Sequence, residues 1–298
     1  MSARAWLAFA TLGITWGLPY LFIKIAVAEI SPVDVAWGRI TLAALILLPI
    51  AWRRGALRAL ATHKAAILAF ALLEFAIPFS AISTGERWIP SSVTAILIAT
   101  VPLIIALISR FFGVHERLGA ARLIGLFVGL GGVVALVGFG ALSGPLAWMG
   151  IGCVMIATVG YAIGPLIIQK HLHAVDSLGP VAASLSIASL VLLAPAMLSM
   201  PKRMPSAMAL TSIAVLGLVC TALSMLVMFY LVKNAGASRA SIITYINPAV
   251  ATLLGMALLD ERLGIGGLTG FGLILLGSWL STRSSSTATE VAAAEASQ

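Results

Sequence analysis

The chain has 298 residues, of which 61% are hydrophobic and only 9% charged, with a mean hydropathy of +1.10. Soluble domains carry roughly 45–50% apolar and about 25% charged residues, so this composition excludes a water-soluble globule and points to an all-α integral membrane protein. The formal net charge of +8 comes from Lys and Arg scattered over loops rather than gathered on one face, which excludes a nucleic-acid surface.

A spanning helix needs about 20 mostly apolar residues, and ten segments come up to that length within a few residues. In chain order they are 6–28, 33–52, 65–84, 93–112, 120–139, 146–168, 178–200, 207–232, 240–259 and 264–280. The links hold helix breakers: Ser31-Pro32, Gly85 with Pro90, Gly144-Pro145, Gly179-Pro180, Pro201 with Pro205, and Gly236. The first apolar stretch is too long for a secretory leader and lacks a small-residue cleavage site, so it is expected to stay as a span. Residues 282–298, rich in Ser, Thr and Ala, read as a disordered tail.

With the N-terminus in the cytoplasm, the inner segments hold Arg4, Arg53, Arg54, Arg58, Lys64, Arg110, Arg117, Arg122, Lys170, Lys233, Arg239 and Arg283, twelve of the 18 basic residues. Both termini are then cytoplasmic. Arg87, Lys202, Arg203 and Arg262 fall on outer loops, and Lys24 and Arg39 within spans.

Polar and helix-breaking residues at membrane depth are tolerated mainly where protein or a water-filled cavity surrounds them. The first span carries Trp16, Pro19, Tyr20 and Lys24, the last of which is near enough to the span end to snorkel. Arg39, in the second span, can form an ion pair with Glu74, meet an anionic substrate group, or snorkel outward. Glu74 lies ten residues beyond Lys64, about 15 Å into the bilayer at 1.5 Å per residue. It reads as the only acidic residue so deep, and an intramembrane carboxylate marks a substrate or proton pathway unless it is a paired structural group. Pro78 and Pro102 follow in the third and fourth spans, and Tyr161 with Pro165 in the sixth. Met225, Met228 and Phe229 in the eighth fit ordinary packing or an adaptable apolar wall. The ninth contains Tyr245, Asn247 and Pro248. Cys153 and Cys220 lie inside spans, where neither a disulfide framework nor a metal site is indicated, so no metal or cofactor is expected.

Glu116-Arg117-Leu118-Gly119 with Gly125 and Gly132 recurs as Glu261-Arg262-Leu263-Gly264 with Gly270 and Gly277, at a constant offset of 145. Pro102 recurs as Pro248, and Pro19 with Lys24 as Pro165 with Lys170, at 146. Two halves follow, 1–139 and 145–281. Five helices per half is odd, so the second half crosses the bilayer in the opposite sense, the inverted-repeat plan of many secondary transporters. Loop charge agrees: Arg110, Arg117 and Arg122 in one loop face Asp260, Glu261 and one arginine in its counterpart. Glu116 and Glu261 suit helix capping at the start of the next helix, and the repeated glycines suit close helix packing.

Trp16-Gly17 before Lys24, Pro32 before Arg39, Pro102, and Glu116-Arg117 with Gly125 and Gly132 give the chain a resemblance to the drug/metabolite transporter superfamily, in its ten-helix EamA-type branch. The resemblance covers nearly the whole chain. In the second half Tyr161-Ala162 replaces Trp-Gly, and Arg39 has no basic counterpart near Leu185. The resemblance implies a central cavity, with Trp16, Tyr20, Arg39, Glu74, Tyr161, Tyr245 and Asn247 as candidate substrate contacts. Pro19, Pro102, Pro165 and Pro248 are candidate hinges of alternating access.

The leading expectation is a secondary transporter in the cell (inner) membrane that exports small metabolites such as amino acids, driven by protons or by the solute's own gradient, as monomer or homodimer. No phosphate-binding Gly-x-x-x-x-Gly-Lys-[Ser/Thr] loop is present, which disfavours an ATP-driven pump. A nucleotide-sugar or sugar-phosphate carrier would need several cavity cations, and only Arg39 and Lys24 qualify. An intramembrane enzyme would need clustered catalytic groups, yet His-Glu-x-x-His and Gly-x-Ser-x-Gly are absent and His63, His115, His171 and His173 sit at span ends or loops.

Overall fold

A computed structural model of the chain describes residues 3–57, 62–108, 111, 120–138, 144–172, 175–235 and 243–295. These form ten helices and no strand. They are α1 (Ala3–Ala26), α2 (Pro32–Arg53), α3 (Lys64–Gly85), α4 (Ser91–Ile108), α5 (Ala120–Gly138), α6 (Ala147–Leu172), α7 (Leu178–Ser199), α8 (207–235), α9 (Ile243–Leu258) and α10 (Ile265–Glu295). Seven are long and apolar enough to cross a membrane, while the apolar stretches of α5, α9 and α10 are shorter: Leu123–Leu136, Ile246–Leu258 and Ile265–Leu280. The tail expected to be disordered is helical as far as Glu295. Its alanine-rich end has high intrinsic helix propensity.

Local chemistry sets the helix starts. Ser31 caps α2 by accepting from the Asp34 N–H, and Pro32 occupies the first turn, where its missing N–H costs nothing. Ser206 caps α8 in the same way, accepting from the Ala209 N–H. A second hold on that end comes from Glu29 in the α1–α2 link, which accepts from the Ser206 N–H at 2.7 Å and hydroxyl at 2.6 Å. Glu261 corrects the expectation for its motif. It caps α4 rather than the helix that follows it, accepting from the N–H groups of Ser91 (2.6 Å) and Ser92 (2.9 Å) and from the Ser92 hydroxyl (2.6 Å). Glu116 and Arg117 lie outside the described residues.

The main contacts between the halves obey one exchange rule, in which every helix is replaced by the one five places along. The pairs α1·α8 and α1·α9 are matched by α6·α3 and α6·α4; α2·α8 is matched by α7·α3; α2·α7, α4·α9 and α5·α10 map onto themselves. The α5·α10 crossing explains the repeated glycines. A Cβ on Gly132 would lie 2.7 Å from the Ile274 nitrogen and 2.8 Å from the Gly270 carbonyl, and one on Gly277 would lie 2.5 Å from the Gly125 carbonyl. Only hydrogen fits, so the two backbones touch, as small residues permit in membrane helix pairs. The bundle exterior is apolar: Phe111 is 84% exposed and Leu198 90%, a surface suited to lipid and not to water.

Candidate functional site

The centre of the bundle is built by two interruptions of regular helix. In α3 the segment Ala71–Ala76 is π-helical, with the Ile77 N–H reaching back five residues to the Leu72 carbonyl. Pro78 follows, and its missing N–H leaves the carbonyl four residues earlier without the usual partner. In α8 the segment Leu218–Leu223 is also π-helical, displaced from the first by 147 positions, close to the repeat offset. No proline drives this one; the hydroxyls of Thr221 and Ser224 bond carbonyls five residues back, at 2.8 Å to Leu216 and 2.9 Å to Val219. Single π turns recur at functional sites. Here they turn Glu74 and Phe75 on α3, and Cys220 and Thr221 on α8, toward one cavity of about 210 Å³.

Glu74 reaches the cavity because α6 opposes it with glycine. A Cβ on Gly164 would fall 3.0 Å from the carboxyl carbon of Glu74 and closer still to Oε2. Gly160, one turn earlier, admits the backbone of Leu73 and the Pro78 ring. Glu74 Oε2 is buried without a hydrogen-bond partner.

Arg39 is 6% exposed, which removes the snorkelling alternative. Its Nε donates to Thr221 Oγ1 at 2.8 Å, and its guanidinium carbon sits 3.8 Å from the centroid of the Phe79 ring, a cation–π contact. Thr221 and Phe79 thus hold the guanidinium against α8 and α3, and the ion pair with Glu74 is not formed. Arg39 and Glu74 line the same cavity without bonding each other.

Aromatic rings make up much of the rest of the cavity wall. Trp16 and Tyr20 come from α1 and Tyr161 from α6, while Phe75 and Phe79 belong to an edge-to-face stack with Phe70, at centroid distances of 5.5 and 5.7 Å. Asn247 of α9 also lines the cavity, its amide edge 3.1 Å from the Ile243 carbonyl and 3.3 Å from that of Gly13, satisfied when the nitrogen faces both. Gly17 lets α9 come this close, since a Cβ there would strike Val250 and lie 3.2 Å from the Asn247 carbonyl. The side chain of Tyr245 lies outside the described residues.

The four prolines differ. Pro19 lines the cavity within an unbroken α1, and Pro248 lies in an unbroken α9. Pro165 lies three residues before a π-helical end of α6, Ile168–Leu172. Only Pro102 adjoins a break: α4 divides into Ser91–Ile98 and Val101–Ile108, and Ile98 and Val101 at the break line the cavity.

Several lining residues escaped the sequence reading, among them Phe75, Phe79, Cys220 and Thr221. The repeat offset carries Glu74 onto Cys220 or Thr221, and that signal could have found them. Met225 does line the cavity, whereas Met228 and Phe229 pack into core clusters. Lys24 does not snorkel; its ammonium bonds the carbonyls of Glu86 and Ile89, the latter at 2.9 Å. Glu86, at the C-terminal end of α3, is 0% exposed and is a buried acid that the sequence reading did not single out.

Known proteins share this architecture. A solved crystal structure superposes with a TM-score of 0.66 over 95% of this chain and 98% of its own, at 18% identity, which shows the fold alone. An uncharacterized inner membrane transporter of Escherichia coli, YedA, is 29% identical over 263 residues, 86% of this chain and 83% of its own. An uncharacterized transporter of Archaeoglobus fulgidus is 26% identical over 287 residues, 94% and 99% of the two chains. The EamA-like transporter family matches twice, over residues 3–138 and 148–283. The chain is a multi-pass membrane transporter and belongs to the EamA-like transporter family.

Proposed function

We propose that the protein is a secondary transporter that exports a small zwitterionic metabolite of the amino-acid type by alternating access around the central cavity. One observation carries this reading: Arg39 and Glu74 line the same cavity without bonding each other. Arg39 presents planar donors suited to a carboxylate, and Glu74 presents an acceptor suited to an ammonium group or a proton. The aromatic walls take an apolar side chain.

Size separates the reading from its rival. The 210 Å³ cavity is below the roughly 300–1,000 Å³ of pockets for drug-sized ligands, and a nucleotide sugar exceeds it. Arg39 is also the single cationic side chain among the described lining residues, where a phosphate carrier needs several. The outward direction follows the efflux character that the resemblance implies, and a cytoplasmic N-terminus follows the distribution of basic residues. In this scheme the driving force is either a proton gradient acting through Glu74 or the solute's own gradient.

Thermal stabilisation of the purified protein by an amino-acid panel, with each methyl ester and N-acetyl derivative, tests the substrate class. The intact zwitterion is expected to stabilise the protein more than either derivative. Equal stabilisation by acid, ester and N-acetyl forms, or none by any, would exclude a zwitterion site. For the proton role, Glu74→Gln should abolish the response of uptake to an imposed pH gradient, and an unchanged response would refute it.

A further inference from the structure

An acidic side chain without hydrogen-bond partners is buried outside the cavity. Glu86 closes α3, its N–H bonded to the Ile82 carbonyl at 2.9 Å, and both of its carboxyl oxygens are buried without a hydrogen-bond partner. The charged and titratable groups that face it are Lys24 and Tyr20 of α1, Arg39 of α2, and Glu261 of the α9–α10 link. Three of these are engaged or uncharged. Arg39 is held by Thr221 and Phe79, Glu261 by the α4 N-terminus, and Tyr20 is a phenol on the cavity wall.

Lys24 differs. Its ammonium bonds two neutral carbonyls of the α3–α4 turn, one of them the backbone carbonyl of Glu86 itself. A bare carboxylate buried beside such an ammonium is unstable as it stands. Either a proton sits on the carboxyl group, or the ammonium leaves the carbonyls for the carboxylate, since a bond between two ions is the stronger one. Ser91 Oγ and Thr252 Oγ1 are also buried without partners. Gly255, one turn beyond Thr252, lies against the Ser91 hydroxyl, so unused polar groups gather at this end of the bundle.

We propose that Glu86 is a proton-binding site whose occupancy decides whether Lys24 latches the α3–α4 turn, a proposal that rests on the transporter reading above. When the site is loaded, the proton forms an O–H bond on the carboxyl group and Lys24 stays on the carbonyls of Glu86 and Ile89. When it is empty, that O–H bond has broken, the proton has passed to water, and the ammonium has turned to the carboxylate, releasing the Ile89 carbonyl and loosening the turn beyond Glu86. The change reaches the cavity directly, because Ile23 adjoins Lys24 and Ile82 lies one helical turn before Glu86, and both line the cavity wall.

Hydrogen–deuterium exchange of the full chain in liposomes, without any solute, tests this. The readout is protection of residues 86–91, corrected for the intrinsic exchange rate, over a pH series. The wild-type turn is expected to be protected at low pH and to lose protection as pH rises. Glu86→Gln should remain protected throughout, because its neutral amide leaves Lys24 in place; Lys24→Met should be unprotected throughout. Wild-type protection that does not change with pH would overturn the proposal. So would a Glu86→Gln turn that keeps the wild-type pH dependence or opens at every pH. No substrate enters this experiment, so its failure leaves the transporter reading standing, and failure of the zwitterion panel leaves the exchange result standing.

Discussion

Gly164 and Glu74 show how one missing methyl group shapes the cavity. Gly164→Ala places a Cβ where the Glu74 carboxyl now lies, so that carboxyl must move. A loss of roughly tenfold in solute affinity, about 1.4 kcal/mol, is expected with no change in melting temperature. A binding titration at wild-type affinity would show that the Glu74 position is immaterial. Glu29 supports a second prediction, on pH. Its two hydrogen bonds from Ser206 hold its carboxyl below the usual glutamate range. A carboxyl depressed in the folded state contributes stability that is fully present above its unfolded value, about 4.3, and lost as pH falls through the folded one. Glu29→Gln should therefore melt earlier than wild type at neutral pH, with the gap closing in acid; a gap that persists in acid excludes the charge as its cause. Arg39 and Glu74 were legible in the sequence because a charge inside an apolar run is conspicuous. Thr221 and Cys220 were not, since small hydroxyl and thiol side chains are ordinary in membrane helices. Glu86 was hidden beside Arg87 at a span end, where a carboxylate reads as a loop residue.

Among the helices, the α5·α10 contact carries the sharpest prediction because it has an internal control. Gly132 meets the backbone of α10, whereas its neighbour Gly131 has nothing within 4 Å. Gly132→Ala should destabilise the protein by about 1–3 kcal/mol, as overpacking does, while Gly131→Ala should be neutral or slightly stabilising, since alanine is the better helix former. Thermal unfolding in detergent measures both, and similar effects at the two positions would contradict the packing described. The existence of these helices was readable from hydropathy, and the glycine face from its recurrence. The π turns were not. Only Pro78 hints at the first, and the second arises from hydroxyls that bond five residues back, which no composition rule marks.

For the whole molecule, duplication made the architecture legible: four identical residues at a fixed offset are hard to obtain otherwise, and the exchange of helix contacts between halves follows from them. The same offset sets Glu74 on α3 against Cys220 or Thr221 on α8 and leaves Arg39 without a basic counterpart, and these two divergences leave one carboxyl and one cation among the described lining residues. The inverted plan predicts that equivalent links face opposite sides of the bilayer. With Cys153 and Cys220 replaced, Ala28→Cys and Ser177→Cys, at the exposed α1–α2 and α6–α7 links, should react with an impermeant thiol reagent from opposite sides; labelling from one side alone would refute the inversion. The central claim, that one cavity lined by Arg39 and Glu74 carries a zwitterion across the membrane, is tested most directly by substrate counterflow of labelled amino acids in liposomes. Wild-type protein is expected to accumulate at least one of them against unlabelled solute, and Arg39→Gln and Glu74→Gln each to abolish that accumulation. Counterflow unchanged in both variants, or seen only with solutes that lack the paired charges, would contradict the account.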